Sequence, residues 1–425
     1  MPSRRPLVAL AALSALSGLS LRAQELSPGR TPRAGEGFRT TLFGEPFDVQ
    51  PRDRARVSAW DLGLIATPEL SDGEFLPYGW LYFWQRPSDD SHYLRALVGG
   101  FQNDLVYAFH PDGARPFELI GSLNTSTPLW DSAEYVDGVR LDGEELGFGY
   151  ARIGLGVGHR EAVDPGNADN LFSSDVLVEP GWFWFDRGED TSAGFVLPDD
   201  TFEVRLRWTT RYDALERNLV ERAHAGVAAG LDAIWGTRTS ASGYGDPSGS
   251  GSVAEGDVDD HLILSGYSVL ATDVPFLESE HHRLVLTFHG GLSDGTDRFS
   301  AMRVGGFPDT RGEETGSLAR PVLPGAGLDE FFPEHYAIAS ASYRLELSFF
   351  AYLETGATVA WLDRDRFRNG VIRRSDDTLS AAHLLLTSGF LGQTRLQMGY
   401  AYGFDLVRDG EEGAHAFTIR MSADF

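Results

Sequence analysis

Apolar and polar residues alternate with a period of two along much of this chain. In residues 201–212 one face is apolar and the other is polar or charged. Successive side chains of a β-strand point to opposite faces, so the pattern predicts a strand with one dry and one wet face. The apolar face holds Phe202, Val204, Leu206, Trp208 and Tyr212. The same alternation recurs at 224–237, 337–347, 394–406 and 413–425.

Sixteen such strands can be placed along the sequence. The nine from residue 201 onward are regular, whereas the seven before it are not. Leu76–Gln85 is apolar on both faces, and the alternation between Leu146 and Gly158 changes parity near Arg152. A β-bulge or a miscounted strand would explain either irregularity. The predicted strands are 56–66, 76–86, 91–101, 103–110, 115–123, 146–159, 172–186, 201–212, 224–237, 259–271, 281–292, 335–347, 349–362, 380–391, 394–406 and 413–425.

Strand length and the connections favour a membrane barrel over a soluble β-sandwich, whose strands also alternate. Most of these strands have about 9–11 residues or more, the length that crosses a bilayer, whereas soluble strands average about 5–6. Connections alternate between short, as at 347–349, and long, as at 292–334 and 363–378. Aromatic residues also lie near strand ends, as interfacial girdles require. We therefore predict an all-β transmembrane antiparallel β-barrel with an even number of strands, sixteen by this count.

Composition and the N-terminus narrow the class further. The chain has 36 basic and 62 acidic residues, a net charge of −26, with no Lys and no Cys. Such acidity argues against a nucleic-acid partner. Arg4 and Arg5 precede an apolar run that ends before Ala23, which predicts a signal peptide over 1–23. We expect a short periplasmic segment at 24–55 and a barrel at 56–425, exported to the outer membrane of a Gram-negative-type bacterium.

One long connection, residues 294–334, carries a distinct motif. It contains Gly305-Gly306 and Arg311-Gly312, and five predicted strands follow it. Two strands later, Glu354 shares the parity of Tyr352 and Gly356, so we expect it to face the lumen. A lumenal carboxylate needs a partner, and a planar guanidinium can bind it through two hydrogen bonds. The glycines supply the backbone freedom that a loop folded into the lumen requires.

These features resemble the outer-membrane insertase and translocase superfamily, which includes BamA, TamA, two-partner-secretion transporters and bacterial surface antigen barrels. The resemblance implies that the loop re-enters the lumen and that Arg311, with Gly312, latches onto Glu354. Tyr352 and Gly356 match the strand motif that flanks this acid. The C-terminal residues Phe417, Ile419, Met421 and Phe425 resemble the signal that the barrel assembly machinery reads.

The sequence departs from the superfamily pattern in three places. Glu313 follows Arg311-Gly312 where an aromatic is usual, and position 354 is Glu rather than Asp. Between Gln24 and Arg56 there are too few residues for one periplasmic POTRA module. The resemblance is therefore closest to barrel-only members, and a client-receiving arm would have to come from a separate periplasmic partner.

Other chemistry is weaker. Gly291-Leu292-Ser293-Asp294-Gly295 fits a nucleophile elbow, but no helix follows it, so turn chemistry is the simpler interpretation. Glu278, Glu280, His281 and His282 could ligate a metal, but a solvated periplasmic turn leading into a strand is the favoured interpretation. Arg205, Arg207 and Arg211 form a basic lumenal stripe that either attracts anions or pairs with acids across strands. We predict no enzyme, no metal and no cofactor.

The sequence thus predicts a barrel acting in protein insertion or translocation at the outer membrane. The alternative is a diffusion porin or a specific solute channel that keeps the loop as a constriction. An outer-membrane lipid hydrolase is a third class without a convincing Ser/His constellation. The expected surroundings are outer-membrane lipid and lipopolysaccharide, with the barrel assembly machinery as a partner during biogenesis.

Overall fold

Sixteen strands close into one antiparallel barrel in the computed structural model. The structure describes residues 24–424 except 28, 43, 71–73, 87–90, 100–101, 112–115, 128–133, 165–169, 241, 246–258, 307–316, 369–370, 390–393 and 409. The barrel strands are β4 (Arg56–Thr67), β5 (Glu74–Gln85), β6 (His92–Gly99), β7 (Gln102–Phe109), β8 (Phe117–Ser126), β11 (Leu146–Ala162), β12 (Leu171–Arg187), β13 (Thr201–Arg217), β14 (Ala223–Arg238), β15 (Asp260–Asp273), β16 (His282–Asp294), β17 (His335–Ser348), β18 (Ala351–Arg368), β19 (Val371–Ser388), β20 (Thr394–Arg408) and β21 (Glu411–Asp424). Each corresponds to one predicted strand, so the sixteen-stranded barrel is confirmed.

The barrel closes where its last strand meets its first. Strands β21 and β4 pair in antiparallel register from Phe417↔Ala66 to Asp424↔Ala59. Every other barrel strand pairs with its neighbours in chain order, and β8 pairs with β11 across the connection between them. We call the end at which β4 begins and β21 finishes the terminal end, and the opposite end the distal end.

Side-chain burial follows the strand period. In β18, Tyr352, Glu354 and Thr358 are buried on the inner face, whereas Val359 and Trp361 are exposed on the outer face. Large apolar side chains are exposed in the same way on the other barrel strands, and most buried charged residues lie inside. The chain therefore turns its apolar face outward, the reverse of a soluble protein and the arrangement that lipid requires.

Two irregularities in the N-terminal half have structural causes. No parity change occurs in β11, because its register with β12 is continuous from Arg152↔Gly181 to Leu155↔Val178. Its inner face instead changes chemistry, from aromatic residues to Arg152 and glycines. Strand β5 is apolar on both faces because Tyr82 and Trp84 belong to an aromatic core inside the lumen.

The predicted long loop at 363–378 was wrong. Strands β18 and β19 continue to pair through this region, from Asp363↔Asp376 to Arg368↔Val371, and form a long hairpin at the distal end. Its charged residues pair across the two strands: Arg364 donates to Asp377 at 2.7 Å. A charge run that looks like a solvated loop is therefore a ladder of ion pairs.

Smaller elements lie at both ends of the barrel. Residues 24–55 contain β1 (Gln24–Glu25), β2 (Phe38–Leu42) and β3 (Glu45–Val49), which form a three-stranded sheet. A second hairpin, β9 (Tyr135–Val136) with β10 (Val139–Arg140), lies between β8 and β11, and Ser317–Ala319 is a single 3-10 turn. Within the described ranges, no helix has the length and apolarity needed to span a membrane.

Candidate functional site

The connection between β16 and β17, the eleventh and twelfth barrel strands, packs against the inside of the wall. We call residues 295–334 the crossing segment; its described parts are 295–306 and 317–334. Its two arms join through bridges between Val304 and Phe331 and between Gly305 and Val322. Val304, Leu323 and Phe331 are buried in one core with inner-face residues of the wall. Those wall residues include Ile338, Leu362, Leu379 and Leu406.

Gly305 and Gly306 lie where the two arms touch. A Cβ atom on Gly305 would be 2.4 Å from the carbonyl oxygen of Gly327, and one on Gly306 would be 2.2 Å from that of Ala326. Both distances are shorter than any side chain tolerates, so only glycine allows this backbone approach. The Gly-Gly pair therefore serves close packing within the segment.

Polar contacts attach the crossing segment to two strands of the barrel wall. Glu330 accepts two hydrogen bonds of 2.7 Å from Arg408 in β20, and both side chains are buried. Four strands away, Nε2 of His289 in β16 lies 2.8 Å from the carbonyl oxygen of Leu318. Gly325 approaches the backbone of β20, with a positive φ of 90°. The described arms are thus fixed to β16 and β20, which stand four strands apart around the barrel.

The first arm of the crossing segment, residues 295–306, is attached by a further ion pair. Asp297 accepts from Arg238 at 2.6 Å and from the hydroxyl of Ser300 at 2.6 Å. Burial opposes ionisation of this carboxyl, but Arg238 and then Ser300 outweigh that effect and hold its pKa below the usual range. Asp297 is therefore a charged anchor at neutral pH.

Glu354 is the centre of a buried ionic cluster in the lumen. Its Oε2 accepts from Arg344 Nε at 2.8 Å and Nη2 at 2.7 Å, and from Arg222 Nη2 at 3.1 Å. His383 Nε2 lies 3.7 Å from Oε1. Arg344 stands directly opposite Glu354 in the β17–β18 register, and Arg222 comes from the turn between β13 and β14. Neither arginine is predicted as a partner from the sequence, although the β17–β18 register places Arg344 opposite Glu354.

A cavity of about 290 Å³ adjoins this cluster. Glu354, Arg222 and Arg344 line it, together with Gly306 and Leu318 of the crossing segment. Arg311 and Gly312, the predicted latch, lie outside the described residues. The contact between Arg311 and Glu354 therefore stays a prediction.

The two residues that flank Glu354 have packing roles here. Tyr352 is buried, and its hydroxyl donates to the carbonyl oxygen of Phe349 at 3.0 Å. A Cβ atom on Gly356 would lie 2.5 Å from both Ser342 Oγ and the His383 ring. Gly356 thus leaves the space in which His383 approaches Glu354.

The C-terminal strand provides the closing seam. Phe417, Ile419 and Met421 are exposed on its outer face, and Phe425 lies outside the described residues. On the inner face Arg420 binds Asp61 of β4, with Nε 2.8 Å from each carboxylate oxygen, and both side chains are buried. An ion pair therefore joins first and last strands inside the lumen.

A second chamber of about 400 Å³ is lined by arginines and acids. Arg205 and Arg207 each lie 2.9 Å from Glu179, and Arg211 lies 2.6 Å from Asp232. The predicted basic stripe is thus paired with acids across strands. Pairing of this kind leaves little excess positive charge to attract anions.

The remaining chemical candidates are engaged elsewhere. Ser293 Oγ lies 3.2 Å from Thr296 Oγ1 and from the carbonyl oxygen of Glu334, at the end of strand β16 rather than at a helix start. His281 pairs with Glu346, and Glu280 with Arg33. Among the described residues, no group of three or more His, Cys, Asp or Glu could hold a metal ion.

Comparison with solved structures places this architecture among known barrels. CdiB from Acinetobacter baumannii matches with a TM-score of 0.50 and 11% identity over 92% of this chain and 64% of that one. BamA from Haemophilus ducreyi, in a form lacking POTRA domains 1–3, matches with a TM-score of 0.50 and 10% identity over 92% of this chain and 75% of that one. The chain has the barrel fold of CdiB and BamA.

CdiB from Escherichia coli matches to a similar extent, with a TM-score of 0.50 and 11% identity over 94% of this chain and 68% of that one. We refer to this shared architecture as a CdiB/BamA-type barrel. At such identities the likeness concerns the fold. The chain spans just under two thirds of the A. baumannii CdiB chain. No protein-family model and no curated protein matches the sequence.

Proposed function

We propose that this protein is an outer-membrane barrel that inserts or translocates protein segments, with the crossing segment as an internal plug. The observation that carries the proposal is the crossing segment itself. It lies between the eleventh and twelfth strands of a CdiB/BamA-type barrel and is fixed to β20 through Glu330–Arg408 and to β16 through His289–Leu318. A segment anchored in this way obstructs free diffusion.

Position supports the predicted latch. Gly306 and Leu318, which bracket residues 307–316, both line the cavity that contains Glu354. Arg311 lies near the middle of that bracket, so we propose that its guanidinium reaches the Glu354 cluster. Because Oε2 already accepts from Arg222 and Arg344, Oε1 beside His383 is the available oxygen for a third donor.

The seam would be the route for a client strand. Lipid offers no hydrogen bonds to an open strand edge, so a parted β4–β21 edge would pair readily with an incoming strand. The client, any separate periplasmic partner and contacts with lipopolysaccharide all belong to this proposal.

The alternative is a porin or specific solute channel, and the chamber of about 400 Å³ favours it. A polar chamber large enough for several waters could form part of a solute path if the crossing segment moved. Its balanced charges predict weak selectivity for anions over cations.

Single-channel currents of the full chain in planar bilayers distinguish the two. We expect the parent to be nearly silent and Arg311→Ala to open repeatedly, while Arg39→Ala, on the exposed face of the N-terminal sheet, behaves like the parent. Steady, equal conduction by all three would contradict the plug. Folding of an added unfolded barrel protein into vesicles, with and without this protein, then tests insertion directly.

A further inference from the structure

The N-terminal sheet crosses the terminal end of the barrel. Residue 56 starts β4 beside the seam, yet the preceding segment contacts three turns on the far side. Phe38 and Val49 pack against Leu219 in the β13–β14 turn and against Phe349 in the β17–β18 turn. The Phe38 and Phe349 rings meet edge to face at 5.6 Å. Residues 24–55 therefore span the terminal mouth.

The surface beneath this segment is acidic. We call Glu216, Glu221, Glu280 and Glu346 the mouth carboxylates. Arg33 Nε lies 2.9 Å from Glu216, and its Nη1 lies 3.4 Å from Glu280. The wholly buried Thr31 hydrogen-bonds to Glu346 through its hydroxyl and to Glu280 through its backbone amide. Basic and polar groups of the segment thus meet carboxylates of the barrel.

Glu221 is the most heavily used of the mouth carboxylates. Arg54 binds it with contacts of 2.7 and 3.2 Å, and Arg52 forms a second ion pair with it. Glu221 has a φ of +63°, a conformation in which Gly or Asn costs less. A glutamate at this position fits a requirement for its carboxylate.

The same contacts reach the lumen and the seam. The turn that carries Glu221 also carries Arg222, which binds Glu354, and both residues line the cavity of about 290 Å³. Arg52 also pairs with Asp424, the last residue of β21. The segment therefore contacts a turn that lines this cavity and holds the end of the closing strand.

We propose that residues 24–55 are a cap held by the mouth carboxylates, and that these carboxylates form a binding surface for an arginine-bearing segment. The occupant is this chain's own N-terminal segment. Releasing it would open the cavity behind Glu221 to the terminal side and free the end of β21. This inference holds whether the barrel inserts clients or conducts solutes.

The test is the reaction rate of a cysteine placed behind the cap. Ser342 is buried and lines the cavity, and the chain has no natural Cys, so Ser342→Cys is a single probe. The full chain in vesicles is treated with a charged, water-soluble maleimide. We expect Glu221→Gln to raise the labelling rate by about tenfold or more, as loss of charge-assisted hydrogen bonds should. High salt should accelerate the parent more than this variant.

The matched control is Asp48→Asn. Asp48 pairs with Arg39 within the cap sheet, at 2.8 Å and on the exposed surface, and this pair involves no barrel residue. It should leave labelling unchanged. Arg52→Gln tests the same contact from the cap side if Glu221→Gln fails to fold. Equal rates in the parent and in whichever of these two variants folds, or an equal acceleration by Asp48→Asn, would overturn the cap.

A disulfide lock gives the reciprocal test. Arg33 and Asn218 face each other in an antiparallel bridge, flanked by hydrogen bonds from Ala34 to Arg217 and from Leu219 to Pro32. Such pairs have Cα atoms close enough for a disulfide. Arg33→Cys with Asn218→Cys, oxidised in the Glu221→Gln background, should restore slow labelling of the probe, and reduction should reverse it. Labelling that ignores the lock would contradict the proposal.

Discussion

The two arcs of the barrel are built differently. Strands β4–β8 contain 8 to 12 residues each, whereas β11–β21 contain 13 to 18. Inside the short arc Tyr82, Trp84 and Tyr93 lie in one buried core, and Arg95 pairs with Asp104. The tall arc carries the Glu354 cluster and most anchors of the crossing segment. Both arcs have apolar cores, but among the described residues ion pairs are more numerous inside the tall arc.

This difference indicates which part of the barrel can change conformation. A packed aromatic wall tolerates little rearrangement, because interiors at this density respond to small volume changes. An ionic wall can exchange partners, provided that each charge keeps one. We therefore expect conformational change in the tall arc and at the seam, and constancy in the short arc.

The largest expected effect is removal of the central carboxylate of the tall arc. Glu354→Gln removes the negative charge that Arg344 and Arg222 share, and breaking a buried ion pair in this way costs about 3–5 kcal/mol. Urea unfolding of the protein in vesicles measures it. Asp48→Asn, an exposed pair, should cost about 0–1 kcal/mol. A Glu354→Gln variant as stable as the Asp48→Asn variant would contradict the claim that ion pairs stabilise the inside of the tall arc.

The two arcs should also differ in the thickness of bilayer that they span. Leu286 in β16 and Leu105 in β7 are both mid-strand, apolar and lipid-facing, with 38% and 40% exposure. Arg at the midplane of a barrel costs about 2–4 kcal/mol, and about 0–1 near an interface. We expect Leu286→Arg to lower the free energy of unfolding by about 2–4 kcal/mol, and Leu105→Arg to lower it by about 0–1 kcal/mol. Equal unfolding penalties would mean that both arcs span the same thickness.

A smaller effect is expected where the arcs meet. Asp61→Asn weakens the buried contact with Arg420 across the seam, worth about 1.5–3 kcal/mol for hydrogen bonds to a charged group. Asp104→Asn, which weakens the pair with Arg95 inside the short arc, is the matched control. Both should destabilise, but only Asp61→Asn should increase bilayer currents. Increased currents in both variants would show that opening of the barrel does not depend specifically on the contact between β4 and β21.

The smallest effect concerns pH at the distal end of the tall arc. The pKa of Asp297 is depressed on folding, so its contribution to stability is complete above the unfolded-state pKa of an aspartate and is lost as pH falls through the folded value. Stability of the parent should therefore decline on acidification below the ordinary aspartate range. Asp297→Asn should show a shallower decline, measured by thermal unfolding across that range. If stability fell equally steeply with pH in the parent and in Asp297→Asn, the depressed pKa of Asp297 would be contradicted.

Sequence reasoning recovered all sixteen strands because the period of two survives wherever one face meets lipid. It failed in detail where the lumen itself is apolar, as in β5, since both faces then look alike. It also misread residues 363–378, because cross-strand ion pairs such as Arg364–Asp377 have the composition of a loop. Charge alone does not distinguish a solvated residue from a paired one.

The site was less accessible to sequence. Parity was enough to place Glu354 inside, but its partner Arg222 comes from a turn over a hundred positions away in the chain, and no local pattern reports such a contact. The cap was missed for the same reason. Residues 24–55 have no strong periodicity, and their structure depends on arginines that meet carboxylates from three distant turns.

The contact between Arg52 and Asp424 has a consequence for the order of assembly. These residues are 372 positions apart, and the Asp61–Arg420 pair at the seam spans 359. Neighbouring hairpins can zip up early, whereas contacts of such high sequence separation form late because loop closure must precede them. Arg52 gains its second partner only once the final strand has arrived beside the first. Docking of the N-terminal residues would thus mark a finished barrel, and an unfinished one would still display its open edges.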